Sequence, residues 1–298
     1  MNPSRSSPTN AFPLFICGLP RAGTSFLFAV LTRHPAFANE NYKDKELRYF
    51  ERILGNRPWG TIDGVSQQKF AAIDAHIMPH LLRTLDRRLR LLRGGPDGHY
   101  INANPRDIFY SEIIREAMPD SRFLIALRDP LTNVWSALNY PAHTWGQRQD
   151  NGFFRPEDVR QTAEHWNKVA NHILRHQLHQ RPDEVFILQQ EHLATGDPAL
   201  HRALAAFLGL EDVAELLDHH ADLVIHSSFV PDDAGKGRDR RFANATEKQA
   251  HFERHQDMFT AEDGYTALVL DICGPQIRKL ADAGIMDRGP SLALLAAT

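Results

Sequence analysis

The chain has 298 residues, 42% of them hydrophobic, which suffices for one large domain or two small ones with a sizeable core. Its formal net charge of -3 excludes the overall basic character that indicates binding to nucleic acid or to an anionic membrane. Only two cysteines are present, Cys17 and Cys273, so neither a disulfide scaffold nor a paired-cysteine zinc site is expected.

Residues 1–11 are polar and rich in serine and proline, and we expect them to be disordered. They lack the basic head and apolar stretch of a secretory signal, and the sequence has no apolar run long enough to predict a membrane span. We therefore expect a cytoplasmic protein, although a chain separated from a membrane anchor would have the same sequence. The folded domain is predicted at residues 12–285 and a C-terminal tail at 286–298.

Short apolar segments alternate with amphipathic segments along the chain. Strands are predicted at residues 12–18, 100–101, 122–127 and 184–189. Helices are predicted at residues 25–34, 70–92, 107–118, 131–139, 156–180 and 198–208, and over most of 246–283. This alternation predicts a single α/β domain with a central parallel sheet flanked by helices. Ligands of such sheets bind beyond the carboxyl ends of the strands, which here means the loops after Cys17, Ile101 and Leu127.

A turn with two glycines, residues 18–25 (GLPRAGTS), connects the first predicted strand to a helix. Backbone N–H groups at a helix start bind anions, and Gly23 lets the backbone approach a phosphate closely. Arg21 offers a forked contact to phosphate oxygens, and Thr24 and Ser25 offer hydroxyl groups. Compared with the phosphate-loop pattern GxxxxGK[ST], Thr24 replaces the lysine, which argues against an ordinary ATPase or kinase. Glycines that serve only the turn are the alternative.

Arg128 follows the third predicted strand, and Ser136 lies about two helical turns later. A guanidinium and a hydroxyl that both face the carboxyl end of a strand suit a terminal phosphate. The alternative is that Arg128 pairs with Asp129 or caps the helix, and that Ser136 has no functional role.

Several stretches together resemble the sulfotransferases that use 3′-phosphoadenosine-5′-phosphosulfate (PAPS). Residues 15–27 (FICGLPRAGTSFL) resemble the family's 5′-phosphosulfate loop, and residues 123–138 (FLIALRDPLTNVWSAL) resemble its 3′-phosphate motif. Residues 185–210 resemble a later strand–helix segment of the family, and residues 235–238 loosely resemble its basic glycine loop. The resemblance implies a P-loop-like fold, PAPS as the cosubstrate with adenosine 3′,5′-bisphosphate as product, and no metal.

The resemblance also assigns residues to the cofactor site. At the 5′-phosphosulfate it implies Arg21, Ala22, Gly23, Thr24, Ser25 and Phe26. At the 3′-phosphate it implies Arg128 and Ser136, with Lys236, Gly237 and Arg238 closing over the same end. Arg21 is the implied catalytic cation, which meets the charge that develops on the leaving phosphate. For residues 236–238, an exposed charged turn is the alternative.

The general base is not where many relatives have it. Small-molecule enzymes of the family have a histidine, and carbohydrate-modifying ones often a lysine, in the segment that corresponds to residues 101–105, where this chain has Ala103. Residues 45–50 (KELRYF) resemble the carbohydrate branch, in which a glutamate before an aromatic pair is the base. The resemblance therefore implies Glu46 as the catalytic base and favours a sugar or another polyhydroxylated acceptor. A surface salt bridge of Glu46 is the alternative.

Two other functions remain open from the sequence: a P-loop small-molecule kinase and a non-catalytic nucleotide-binding protein. The missing lysine disfavours the kinase, and Asp129, followed by Pro130, does not have the context of a magnesium-binding aspartate. A lipid, antibiotic or peptide hydroxyl also remains open as acceptor. No nucleic-acid partner is expected, and the oligomeric state is not predicted.

Overall fold

The computed structural model describes residues 12–37, 80–90, 99–139, 154–195, 197–211, 213, 223–224, 240–241 and 264–297. Its centre is a sheet of four strands: β1 (Pro13–Gly18), β2 (Tyr100–Ala103), β3 (Arg122–Leu127) and β4 (Val185–Gln189). All neighbouring pairs are parallel and the order is β2-β1-β3-β4. The predicted parallel α/β fold is therefore confirmed.

The sheet forms the core because its strands are apolar on both faces. All six residues of β1 are buried, and the rings of Phe15 on β1 and Phe123 on β3 stack with their centroids 5.3 Å apart. Continuous apolar runs are typical of parallel strands covered on both sides by helices. A separate antiparallel pair joins Leu223–Val224 to Arg240–Arg241.

Helices occupy most of the remaining described chain. They are α1 (Thr24–Leu31), α2 (80–90), α3 (Ser111–Ala117), α4 (Pro130–Leu138), α5 (Pro156–Arg175), α6 (Gln190–Thr195), α7 (Pro198–Leu208), α8 (Tyr265–Asp282) and α9 (Pro290–Ala296). Short 3₁₀ helices lie at Pro105–Tyr110 and Leu178–Gln180. None of the helices described has the length and apolar character needed to cross a membrane.

Where their residues are described, the predicted helices agree with the observed ones except near their ends, whereas residues 70–79, 91–92 and 246–263 of the predicted helical ranges lie outside the described residues. The helix predicted at 107–118 begins as a 3₁₀ turn, because Asn104 caps Pro105–Tyr110 by accepting the N–H of Arg106 at 3.2 Å. The helix predicted at 156–180 ends at Arg175, where Gln177 takes a left-handed conformation with φ 48°. Both α6 and α9 were missed, since each has only six or seven residues and no separate periodic pattern.

The segment predicted as a C-terminal tail contains α9, and part of it packs on the domain. Met286 is buried and Ser291 is fully buried. The N-terminal segment 1–11 lies outside the described residues. The exact domain boundaries stay a prediction.

Asp129 fastens α9 to the end of β3. Its buried carboxylate caps α4 by accepting the N–H of Leu131 at 3.0 Å, and it also accepts the N–H of Ser291 at 2.9 Å and the Ser291 hydroxyl at 2.7 Å. Glu191 accepts the backbone N–H of Asp129 at 3.0 Å. Burial first, and then the nearby Glu191 carboxylate, raise the pKa of Asp129 to about 7, against the lowering effect of these hydrogen bonds.

Gly18, at the end of β1, is expected to be intolerant of a side chain. Its φ is 113°, and an added Cβ would collide with the carbonyl oxygen of Ala126, which accepts the N–H of Leu19 at 2.9 Å. Gly18→Ala should lower the free energy of unfolding by at least about 2 kcal/mol, because it combines backbone strain with a steric clash. Urea unfolding measures this loss.

The matched control is Gly284→Ala. Gly284 also has a positive φ, 68°, but no atom lies within 4 Å of an added Cβ. The control should lower the free energy of unfolding by only about 1–2 kcal/mol. Equal losses in the two variants would contradict the predicted clash at Gly18.

The raised pKa of Asp129 predicts a pH-dependent stability. Below about pH 4 the carboxyl group is protonated in both the folded and the unfolded chain, whose ordinary pKa is 3.8. Between there and about pH 7 the unfolded chain loses this proton while the folded chain keeps it, so the stability due to Asp129 falls as the pH rises. The fall is up to about 1.4 kcal/mol per pH unit and stops above the folded pKa.

Urea unfolding of wild type and Asp129→Asn at several pH values from 4 to 8 tests this. The wild type should lose stability relative to the variant across that window, whereas Asp271→Asn, which removes an exposed carboxylate of α8, should follow the wild type. If the free energy of unfolding changed with pH in the same way for wild type and Asp129→Asn, Asp129 would be ionised over the whole range from pH 4 to 8.

Candidate functional site

The loop between β1 and α1 lies at the carboxyl edge of the sheet, where the sequence predicted a phosphate loop. Arg21 has φ 69°, an uncommon conformation for a residue with a side chain, and such strain is concentrated at functional sites. Gly23 is the N-cap of α1 with φ 93°, and a Cβ there would meet nothing within 4 Å. Among the described residues, nothing therefore crowds the backbone at Gly23, which leaves room there for a ligand.

The start of α1 is electrostatically suited to an anion. The N–H groups of a helix's first turn have no acceptor inside the helix and carry the positive end of its dipole. The first turn of α1 has no acidic residue to oppose an anion. Ala22 and Thr24 are buried, so Ala22 offers only its backbone, while Ser25 and Phe26 are partly exposed.

The structure brings the two sequence motifs into contact. Arg21 Nε donates to the hydroxyl of Ser136 at 3.4 Å, although 115 positions separate them in the chain. Arg128 Nη1 donates to the carbonyl oxygen of Arg21 at 3.1 Å. Three predicted site residues from two distant segments thus form one cluster, which we call the arginine–serine cluster.

Further hydrogen bonds fix the position of this cluster. Arg128 Nε donates to the hydroxyl of Thr132 at 3.0 Å, and Trp166 Nε1 donates to the carbonyl oxygen of Arg128 at 2.9 Å. Asn133 donates to the carbonyl oxygen of Pro20 at 2.8 Å, which ties α4 to the loop after β1. The loops after β1 and β3 are therefore held as one unit.

Burial lowers the pKa of Arg128 from its ordinary value, while the carboxylates of Glu191 and Asp129 and the Tyr265 side chain act in the opposite direction. An arginine keeps its proton in proteins, so the cluster holds a positive charge in a partly dehydrated setting. A charge in such surroundings acts more strongly on a bound anion than a charge in water.

Sequence reasoning missed several residues that support the cluster. Thr132 lies four residues after Arg128 at a helix start, so helical spacing was a usable signal for it. Asn133, Trp166 and Glu191 had no such signal, because each reaches the cluster from elsewhere in the fold. Glu46, Lys236, Gly237 and Arg238 lie outside the described residues, so their assigned roles stay predictions.

The segment in which many relatives have their base has a structural role here. The side chains of Asn102 and Asn104 donate to the carboxylate of Asp107 at 2.5 Å and 3.1 Å, and Asp107 is fully buried. These bonds hold the end of β2 against the 3₁₀ helix that follows. A neutral amide has no basic atom, so neither Asn102 nor Asn104 is a candidate base.

The arrangement suits phosphate rather than a metal ion. Two guanidinium groups, a hydroxyl and a helix start converge at one edge of the sheet, and each of them donates hydrogen bonds to anions. In the parts of the chain that the structure describes, no group of three or more His, Cys, Asp or Glu is placed to bind a metal.

Comparison with curated proteins finds similarity to two protein-tyrosine sulfotransferases. Protein-tyrosine sulfotransferase 2 of Gallus gallus is 23% identical over 213 residues, which cover 71% of this chain and 54% of that protein. Protein-tyrosine sulfotransferase 1 of Danio rerio is 22% identical over 213 residues, covering 71% of this chain and 56% of that protein. The chain spans about half the length of the curated relatives it matches.

Among solved structures, the sulfotransferase domain from the curacin biosynthetic pathway matches with a TM-score of 0.47 and 14% identity, covering 89% of this chain and 97% of that domain. The model of the Sulfotransferase family matches residues 13–215, well over half of the chain and the whole of the four-stranded sheet. The predicted family is thereby confirmed, and the chain belongs to the sulfotransferase family.

Proposed function

We propose that this protein transfers a sulfuryl group from PAPS to an acceptor hydroxyl. The observation that carries the proposal is the arginine–serine cluster, in which Arg21, Arg128 and Ser136 meet beside the start of α1. Membership of the sulfotransferase family supports the same function.

The cluster has the donors that an adenosine bisphosphate group requires. Such a ligand carries phosphate groups at two positions, and a protein that binds both needs two anion sites a few ångströms apart. The start of α1 with Arg21 suits the 5′ end, and Arg128 with Ser136 suits the 3′-phosphate. Arg21 also touches Ser136, so the two sites share a border.

PAPS supplies the sulfuryl group, whose bond to the 5′-phosphate oxygen breaks as the acceptor oxygen bonds to sulfur. Arg21 then stabilises the negative charge that develops on the leaving phosphate, and the N–H groups of the α1 start add to this effect. Glu46, whose ordinary pKa keeps a free carboxylate ionised at neutral pH, accepts the proton of the attacking hydroxyl. The role of Glu46 rests on the sequence resemblance.

The acceptor has two candidates. The residues around Glu46 favour a sugar or another polyhydroxylated molecule. The two curated relatives carry names that specify protein tyrosine, which makes a tyrosine hydroxyl in a peptide the second candidate. Parallel assays with a sugar panel and a tyrosine-containing peptide, using labelled PAPS, distinguish them.

A kinase is the competing function. Thr24 is the first residue of α1 and is buried, and it stands where a phosphate-loop lysine would contact a nucleotide. A protein that lacks this lysine is poorly suited to the terminal phosphates of ATP. Nucleotide preference separates the two functions.

Calorimetric titration with adenosine 3′,5′-bisphosphate is the direct test of the cofactor. The wild type should bind it in preference to ATP with magnesium. Arg128→Ala should weaken binding about 10- to 100-fold, because a hydrogen bond to a charged group contributes roughly 1.5–3 kcal/mol.

Arg175→Ala is the matched control for this titration. It removes an exposed positive charge at the far end of α5, so affinity should stay within about twofold of the wild type. A wild type that prefers ATP with magnesium would overturn the sulfotransferase proposal and favour the kinase.

Glu46→Gln separates catalysis from binding. The amide cannot accept the hydroxyl proton, so the rate of sulfuryl transfer should fall by about 100-fold or more, while the affinity for the bisphosphate stays unchanged. The measurement pairs a transfer assay with the same titration. Retained activity in Glu46→Gln would show that another group is the base.

A further inference from the structure

Residues 286–291, which lead from the segment after α8 into the first residues of α9, run across the carboxyl ends of β3 and β4, and we call them the C-terminal strap. Gln189, the last residue of β4, donates its side-chain N–H to the carbonyl oxygen of Arg288 at 2.5 Å and accepts the N–H of Asp287 at 3.3 Å. His192 lies 2.8 Å from the carboxylate of Asp287. The strap is thus anchored on the strand next to β3.

The strap ends on Asp129, the residue directly after Arg128. Ser291 directs both its N–H and its hydroxyl at the Asp129 carboxylate, at 2.9 Å and 2.7 Å. Both residues are fully buried, so water does not compete for these hydrogen bonds. A Cβ on Gly289 would collide with the same carboxylate, which shows how closely the strap approaches.

The peptide that joins Arg128 to Asp129 has a hydrogen-bond partner for its carbonyl oxygen and another for its N–H. Trp166 donates to the carbonyl oxygen of Arg128, and Glu191 accepts the N–H of Asp129. The strap holds the Asp129 side chain, which itself caps α4, the helix that carries Ser136. Ser291 is therefore connected through Asp129 to the backbone that follows Arg128, and its hydroxyl also accepts the N–H of Leu131, in the first turn of the helix that carries Ser136, at 3.3 Å.

We propose that Ser291 is a positioning residue for 3′-phosphate binding, which acts through Asp129 to orient Arg128 and Ser136. This inference rests on the proposed function, since it concerns the same anion site. It assigns to the C-terminal strap a part in the cofactor site, although the strap lies far from both cofactor motifs in the sequence.

The inference predicts a selective effect on the ligand. The strap bonds directly to Asp129, next to the residues that suit the 3′-phosphate, whereas it reaches the start of α1 only through further hydrogen bonds, those of Arg128 to Arg21 and of Asn133 to Pro20. Loosening the strap should weaken binding of adenosine 3′,5′-bisphosphate more than binding of adenosine 5′-monophosphate, which has no 3′-phosphate. A general loss of folding stability would weaken the binding of both nucleotides equally.

The test is Ser291→Ala, titrated with the two nucleotides. Binding of the bisphosphate should weaken about 3- to 10-fold, because the variant loses the buried hydrogen bond from the Ser291 hydroxyl to Asp129 and the longer one from the Leu131 N–H, while binding of the monophosphate stays nearly unchanged. The matched control is Ser121→Ala at the amino end of β3, because the buried Ser121 hydroxyl has no hydrogen-bond partner among the described residues. This control should bind both nucleotides like the wild type.

If Ser291→Ala does not fold, Asp129→Asn replaces it, since the amide keeps the shape of the side chain but accepts at only one of its two atoms. An unchanged affinity for the bisphosphate, or an equal loss of affinity for both nucleotides, would overturn the positioning role while the proposed function stands. A wild type that does not bind the bisphosphate would instead overturn the proposed function, and this inference with it.

Discussion

The site depends on one tertiary constraint, the joining of the loop after β1 to the loop after β3. The N–H of Leu19 bonds to the carbonyl oxygen of Ala126 where the strands end, and beyond them Arg128 bonds to the carbonyl oxygen of Arg21. Because β1 and β3 are adjacent and parallel, both loops leave the sheet at the same edge. Side chains over a hundred residues apart in sequence then reach one another.

Holding a partly buried arginine at this edge has an electrostatic consequence. A charge removed from water needs partners, and the carboxylates of Asp129 and Glu191 lie close enough to oppose the loss of hydration of Arg128. Burying the Asp129 carboxylate in turn disfavours its ionised form, as its raised pKa shows. The hydrogen bonds from Ser291 and Leu131 stabilise the Asp129 carboxylate, so α9 is part of the electrostatic balance of the site.

Local sequence patterns predicted most of the architecture because each element carries its own signal. The β3 bounds and the α7 bounds agree with prediction, since β3 is a continuous apolar run and α7 ends at Gly209 in a left-handed conformation. The errors occur where local signals are weak. Helix α9 is too short for periodicity, and the 3₁₀ turn at Pro105–Tyr110 is set by the hydrogen bonds of Asn104 to Asp107 and Arg106.

The sequence by itself determined the parallel α/β class, the family, and the residue types of the phosphate-binding motifs. The class and the motif residues follow from strand and helix periodicity and from a glycine turn before a helix, which are local properties of the chain, whereas the family follows from the resemblance of those motifs. Only the tertiary structure decided that Arg21 meets Ser136, that Trp166 and Glu191 hold the peptide after β3, and that Ser291 reaches Asp129. These contacts join segments far apart in the chain, and strand order and helix packing, which no local pattern encodes, place them together.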